Sequence, residues 1–263
     1  MSKINKLKNL NAVKKFDDLI EVLNDLLGPK GCDWDRAQTS TSLVPYLLEE
    51  TYEVIEAIED NNPEALKEEL GDLTLHVLFQ AKLAENRGDF TLVESLSDIS
   101  QKLIRRHPQV FNGESSNTSE SEKSWELAKQ KEKKRDSLLD GVPKNLPALA
   151  RASRIQEKAA SVGFDWKDIN PIWDKVFEEI SELKEAIKLD DKDSITDEIG
   201  DVFFSLVNLS RFLGVNSEDS LRKSISKFES RFSRMENEYK NKGLSMKNAS
   251  LEELDKSWED AKK

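Results

Sequence analysis

The sequence predicts an all-α protein built from two tandem copies of one helical module. Apolar residues recur at three- and four-residue spacing along most of the chain, which is typical of amphipathic helices. Glycine and proline are scarce, at 10 and 7 of 263 residues, which disfavours a turn-rich β protein. Short motifs of the first half return in the second half at a constant distance, which indicates an internal repeat.

The helical periodicity is clearest in five stretches. The first has its apolar positions at Val44, Leu47, Leu48, Thr51, Ile55 and Ile58. The others are predicted at 64–85, 172–188, 194–213 and 218–241.

The middle of the chain separates the two halves. Residues 112–124 are almost without apolar side chains, so a loop or a disordered segment is predicted there. The charge run 129–135 is interpreted as a solvated helix end rather than a binding patch. Residues 141–147 (GVPKNLP) form a rigid break. We therefore expect an N-terminal module over 1–138 and a C-terminal module over 139–263.

The repeat keeps its spacing around two acidic motifs, which span 49–72 in the first copy and 178–201 in the second. The segment 48–53 (LEETYE) returns as 177–182 (FEEISE), and 68–73 (EELGDL) returns as 197–202 (DEIGDV). Both pairs are 129 residues apart, so no residue has been inserted or lost between the motifs.

Each copy carries Glu-Glu-x-x-Glu on one predicted helix and Glu-x-x-Asp on the next. Glu179 and Glu182 share a helical face because they are three residues apart, and so do Glu198 and Asp201. If the two helices pack antiparallel, four carboxylates converge, and they would repel one another strongly without a cation. Oxygen ligands favour Mg²⁺, with Mn²⁺ as a possible substitute. The matching ligands of the N-terminal module are Glu50, Glu53, Glu69 and Asp72.

Two other interpretations of these acids compete with a Mg²⁺ site. A single Glu-x-x-Glu pair among 51 acidic residues would be an ordinary solvated helix face. Both copies, however, keep the same spacing of 16 positions, from Glu53 to Glu69 and from Glu182 to Glu198. A di-iron bundle needs Glu-x-x-His motifs, and neither copy has one. His76 follows Asp72 by four residues but is matched by Ser205, so we interpret it as a hydrogen-bonded core histidine.

The composition of the chain limits which binding partners and which cellular compartment are expected. With 40 Lys+Arg against 51 Asp+Glu, the net charge of −11 argues against nucleic-acid binding. No apolar run approaches the roughly 20 residues of a membrane span, and the polar N-terminus does not resemble a signal peptide. A single cysteine, Cys32, fits a reducing compartment. We therefore expect a cytoplasmic protein without a membrane or nucleic-acid partner.

Basic residues indicate which kind of ligand would bind to the metal ion. Protein-bound Mg²⁺ usually completes its coordination with substrate phosphates. Lys227 and Arg231 lie four residues apart, as do Lys102 and Arg106 in the first half. Taken with the acidic motifs, they are interpreted as counter-charges for a polyphosphate.

The chain resembles the MazG-type nucleoside triphosphate pyrophosphohydrolases from about Phe16 to Trp258. Besides the acidic motifs, the resemblance rests on 32–39 (CDWDRAQT), 145–149 (NLPAL) and 158–166 (KAASVGFDW). One departure is Asp33, where the family usually has proline. The resemblance implies the all-α NTP pyrophosphatase fold and modules that dimerise. It also implies Mg²⁺-dependent hydrolysis of NTPs or dNTPs to NMP and pyrophosphate.

The resemblance also implies roles for single residues of the C-terminal module, which carries the activity in two-module members. Metal ligands are expected at Glu179, Glu182, Glu198 and Asp201, and Glu178 completes the catalytic set as a candidate for orienting water. Nucleotide contacts are expected at Lys175, Glu178, Asp197, Lys227, Arg231 and Trp258. The alternative function is a non-catalytic nucleotide- or metal-sensing helical dimer that acts through a partner protein.

Overall fold

The computed structural model describes residues 10–111 and 137–262, and these ranges contain helices and turns but no β-strand. They belong to two compact units, one for each range. The all-α prediction is therefore confirmed. The predicted loop 112–124 and the charge run 129–135 lie outside the described residues, and the module boundary at 138/139 stays a prediction.

The first unit is organised around a pair of long helices. Its helices in the described range are α1 (Leu10–Leu27), α2 (Asp33–Arg36), α3 (Val44–Glu59), α4 (Pro63–Arg87), α5 (Leu92–Arg106) and α6 (Pro108–Phe111). A three-residue link makes α3 and α4 an antiparallel hairpin, and α1 packs against α4. The core contains Leu23 of α1, Leu43 just before α3, and Leu78 and Phe79 of α4.

The second unit repeats this hairpin. Its helices in the described range are α7 (Ala148–Ser161), α8 (Asn170–Leu189), α9 (Lys192–Phe212), α10 (Ser217–Asn241) and α11 (Leu251–Ala261), with a 3₁₀ turn at Met246–Asn248. A two-residue link joins α8 to α9, while α7 packs on α9 and α10. Ile172, Val176 and Leu209 form the centre of the core.

The turn inside each hairpin repeats as well. Asn61 and Asp190 both have a positive φ, of 52° and 53°, a conformation that Asn and Asp tolerate better than most residues. The next residue in each unit caps the following helix. The Asn62 side chain accepts a hydrogen bond from the Ala65 amide, and Asp191 accepts bonds from two amides of the first turn of α9. These turns direct each acidic helix back along the preceding one.

The predicted long helices are confirmed to within about two residues at each end: the structure places them at Val44–Glu59, Pro63–Arg87, Asn170–Leu189, Lys192–Phe212 and Ser217–Asn241. Within 10–111 and 137–262, none of the helices combines the length and apolar character needed to cross a membrane.

Candidate functional site

The acidic motifs of the second unit meet between α8 and α9. Glu179 projects from α8, and Glu198 and Asp201 project from α9. One carboxylate oxygen of each lies within 4.8 Å of the other two. Glu182, one turn beyond Glu179, lies close enough to raise the pKa of Glu198. The hairpin therefore brings together the four acids that the spacing predicted.

Burial and mutual repulsion make this acidic cluster unfavourable without a counter-charge. Burial is the largest cause that raises the pKa of Glu198, followed by repulsion from Glu182 and Asp201. Glu198 Oε2 is buried and has no hydrogen-bond partner in the described chain, and Glu179 is only 5% exposed. An unpaired buried carboxylate oxygen is costly, so it needs a proton or a cation. A set of oxygen donors at this spacing fits a hard divalent cation.

Lys175 supplies part of the balancing charge. Its Nζ lies 2.6 Å from Oε1 of Glu179 and 3.0 Å from Oε1 of Glu178. Its hydrogen bonds, first to Glu179 and then to Glu178, raise the pKa of the Lys175 ammonium. Lys175 therefore remains a cation at the edge of the acidic cluster.

The first unit contains a matching acidic cluster. Carboxylate oxygens of Glu50, Glu69 and Asp72 lie within 4.8 Å of one another. Glu53 interacts with both Glu50 and Glu69 and helps to raise their pKa values, after the larger effect of burial. All four predicted acids of the N-terminal module therefore also come together.

The surroundings of the two clusters differ. Tyr46 occupies the position that matches Lys175, and its ring stacks on His76 with centroids 6.5 Å apart. Nε2 of His76 lies 3.8 Å from Oε1 of Glu50, whereas Nδ1 is buried and has no hydrogen-bond partner among the described residues. The prediction of a fully hydrogen-bonded core histidine is therefore wrong, because one ring nitrogen faces an acid and the other is left unpaired.

A pocket of about 540 Å³ opens beside the acidic cluster of the second unit. Lys175, Glu179 and Asp201 line one part of it. The remaining wall comes from α7, from α9, from the segment between α7 and α8, from Ile172 of α8 and from Leu139 before α7. Its polar or aromatic members are Gln156, Phe164, Asp165, Trp166, Phe204, Ser205, Asn208 and Arg211.

Sequence reasoning missed Gln156, Asn208 and Arg211, because they belong to no repeated motif. The available signal for Gln156 was its helical face, where Ala152, Ala159 and Ala160 lie three or four residues away. The amphipathic pattern of α7 itself was not recognised.

Three predicted nucleotide-binding residues lie apart from this pocket. Lys227 and Arg231 are on α10, and Trp258 is on α11. The Arg231 guanidinium lies 5.8 Å from the centroid of the Trp258 ring, which also packs on Phe228 at 5.0 Å. Within the described part of one chain, these three residues do not line the pocket, and they do not belong to either acidic cluster. Asp197, by contrast, is exposed and adjoins Glu198.

Known proteins match this chain over nearly its whole length. Residues 38–111 and 170–235 match the model of the MazG nucleotide pyrophosphohydrolase domain. The chain is 47% identical over 249 residues to the nucleoside triphosphate pyrophosphohydrolase/pyrophosphatase MazG of Thermotoga maritima, covering 94% of this chain and 95% of the relative. It is 41% identical over 260 residues to the nucleoside triphosphate pyrophosphohydrolase of Escherichia coli K12, covering 95% and 98%. The matched segments contain both acidic clusters, and the chain belongs to the MazG family of nucleotide pyrophosphohydrolases.

Proposed function

We propose that this chain is a Mg²⁺-dependent nucleoside triphosphate pyrophosphohydrolase that cleaves NTPs and dNTPs between the α and β phosphates. The observation that carries the proposal is the convergence of Glu179, Glu198 and Asp201 beside a pocket of ligand size. The names of both relatives, from T. maritima and E. coli, support the same reaction class. The products are then NMP and pyrophosphate.

The donor set supports Mg²⁺, or Mn²⁺ in its place. Glu179, Glu182, Glu198 and Asp201 would hold the ion, and the unpartnered Oε2 of Glu198 would gain a ligand contact. When bound, the ion would polarise the phosphate oxygens and acidify the attacking water.

The side chains around the cluster then have separate tasks. Glu178 is exposed and held by Lys175, so its free oxygen is available to accept a hydrogen bond from the water that attacks the α-phosphorus. Lys175 stays protonated and donates to a phosphate oxygen. We also propose that Lys227 and Arg231, which lie apart from the pocket within one chain, neutralise the charge of the pyrophosphate leaving group.

The exposed apolar surface supports a homodimer. On the helices that carry the acids, large apolar side chains remain exposed at five pairs of matched positions in the two units: Val44 and Trp173, Leu48 and Phe177, Ile58 and Ile187, Leu70 and Ile199, Val77 and Leu206. Exposed apolar residues that recur at matched positions on the helices that carry the acids indicate a protein–protein interface. We propose that the covering surface belongs to a second copy of the chain.

The reaction is tested by incubating the full chain with ATP and Mg²⁺ in water enriched in ¹⁸O. The expected products are AMP and pyrophosphate, with the heavy oxygen in AMP, because water attacks the α-phosphorus. ADP and phosphate, or label in pyrophosphate, would contradict the proposed bond cleavage. Nucleotide binding without any pyrophosphate would instead support the alternative, a nucleotide-sensing dimer that acts through a partner protein.

A further inference from the structure

Gln156 is a buried polar side chain that the proposed reaction does not use. It lies on α7, is 7% exposed and lines the pocket beside the acidic cluster. Its Nε2 donates a hydrogen bond of 2.9 Å to the backbone carbonyl of Phe204. Because a carbonyl oxygen only accepts, this bond sets the orientation of the amide and leaves Oε1 as an acceptor.

The Oε1 atom of Gln156 lacks the partner that a buried acceptor needs. It is buried and has no hydrogen-bond partner within the part of the chain that the structure describes. A buried acceptor in this state has lost water without gaining a donor, which is unfavourable and uncommon in folded proteins. A ligand that brings an N–H group into the pocket would restore the missing bond.

The rest of the pocket wall fits a flat ring. Phe164, Trp166 and Phe204 line it, and the Phe164 side chain is 82% exposed. Aromatic side chains stack on nucleobases of any sequence because every base has a π face. The volume of about 540 Å³ also falls within the usual range of small-molecule sites.

The polar part of the wall is held in place by hydrogen bonds. The Arg211 guanidinium donates to both carboxylate oxygens of Asp165, at 3.0 and 2.6 Å. It also donates to Oδ1 of Asn208, at 2.7 Å from one terminal nitrogen. Bidentate pairing of this kind restricts both groups. Gln156 therefore faces a preformed pocket.

The pocket is continuous with the reacting end of the site, since Lys175, Glu179 and Asp201 line it as well. We propose that Gln156 Oε1 accepts a hydrogen bond from an N–H group on the Watson–Crick edge of the substrate base, which makes Gln156 a specificity-determining residue. This inference rests on the proposed function and adds the site of the base to it. For ATP, the donor is the 6-amino group.

The expected preference is modest. One hydrogen bond between neutral groups contributes about a factor of ten to the ratio of kcat/KM between two substrates. It is therefore compatible with the broad use of NTPs and dNTPs under the proposed function.

The test compares ATP with purine riboside 5′-triphosphate, which lacks only the 6-amino group, on the full chain. Wild-type protein should prefer ATP by about tenfold in kcat/KM, and Gln156→Met should bring the ratio close to one. Both substrates are measured on one sample, so the folded fraction cancels from the ratio. Gln80→Met is the matched control in the first unit, where Gln80 donates a similar 3.0 Å bond to the Ser40 carbonyl; it should leave the tenfold preference unchanged.

The outcomes separate the two proposals. No pyrophosphate from either substrate would overturn the proposed function, and this inference with it. Equal kcat/KM values in the wild type would overturn the role of Gln156 alone, and this comparison needs no substitution. A tenfold preference that survives Gln156→Met, or that Gln80→Met removes, would also overturn it.

Discussion

At the scale of single residues, Glu198 shows how the acidic cluster acts against the stability of the metal-free chain. Its raised pKa means that the folded protein holds this proton more tightly than the unfolded chain does. The resulting stabilisation is present below the ordinary glutamate pKa and is lost as pH rises through the raised value. At neutral pH the Glu198 carboxylate is therefore unfavourable for folding, which is expected of a metal ligand rather than a structural residue.

Replacing Glu198 tests whether its carboxylate destabilises the metal-free protein at neutral pH. Glu198→Gln should raise the melting temperature of the metal-free protein at pH 7, because an amide brings no charge into the cluster. The gain should disappear below pH 4.5, the ordinary value, where the carboxyl group is protonated. Circular dichroism melting in chelator across this pH range measures both effects. Glu185→Gln, on the solvent side of α8, is the control and should change little; a lower melting temperature for Glu198→Gln at pH 7 would contradict the assignment.

The cation requirement is the second test at this scale. Hydrolysis should need Mg²⁺ or Mn²⁺, because the acids offer oxygen donors that suit hard cations. The same ions should raise the wild-type melting temperature, since a ligand that binds only the folded state stabilises it. Glu198→Gln should weaken this rise. Full turnover in excess chelator would show that the acids serve another purpose.

At the scale of helices, the sequence was most informative where a helix carried a repeated motif. The constant 129-residue offset aligned the two hairpins, and the three-residue spacing placed Glu198 and Asp201 on one face. Helix α7 was not predicted, because it has no repeated motif, and the pocket role of Gln156 depends on how α7 packs on α9. Apolar periodicity predicts which side chains share a face of a helix, but it does not predict which other helix packs against that face. For the same reason it did not predict where Lys227 lies relative to the acids.

The caps of the two acidic helices offer a matched comparison at this scale. Asn62→Ala should destabilise α4 by about 1 kcal/mol at any pH, because it removes a neutral cap. Asp191→Ala should destabilise α9 only where Asp191 is charged. Hydrogen bonds, first from the Ser194 hydroxyl and then from amides, lower the pKa of Asp191 below its ordinary value of 3.8. The stability that Asp191 contributes is thus present above pH 3.8 and is lost as pH falls through the lowered pKa.

Melting curves of both variants at pH 7 and in acid check this pair. The effect of Asp191→Ala should shrink in acid, whereas that of Asn62→Ala should persist. If both effects had the same pH dependence, the charge of Asp191 would not contribute to capping.

At the scale of the whole molecule, the exposed apolar residues of α9 test the proposed dimer. Phe203 is exposed on the same face of α9 as Ile199 and Leu206, which belong to the proposed interface. Phe203→Glu should shift the protein from dimer to monomer, because a charge would be buried in the interface. Light scattering coupled to size-exclusion chromatography measures the mass directly. Leu251→Glu changes a still more exposed apolar residue on α11 and should leave the mass unchanged. A wild-type monomer, or a Phe203→Glu dimer, would contradict this interface.

The two modules also differ in the groups that could serve a nucleotide. Lys175 lies beside the acids of the second module, whereas its counterpart in the first is the uncharged Tyr46. His76 replaces Ser205 and lies against Glu50. Among the described residues, the first module therefore has the carboxylates for an ion but an uncharged ring at the position of Lys175, which favours the second module as the catalytic one.

Matched substitutions of the last acid decide which module acts. Asp201→Ala should lower kcat for ATP by about 10² to 10³, because it removes a group that supports charge on the α-phosphate. Asp72→Ala deletes the counterpart 129 residues earlier and should leave most hydrolysis intact. Neither should unfold its helices, since each relieves repulsion within an acidic cluster, and circular dichroism verifies this. If Asp72→Ala is inactive while Asp201→Ala still hydrolyses ATP, the catalytic module is the first, and the Tyr46 and His76 rings, rather than Lys175, line the working site.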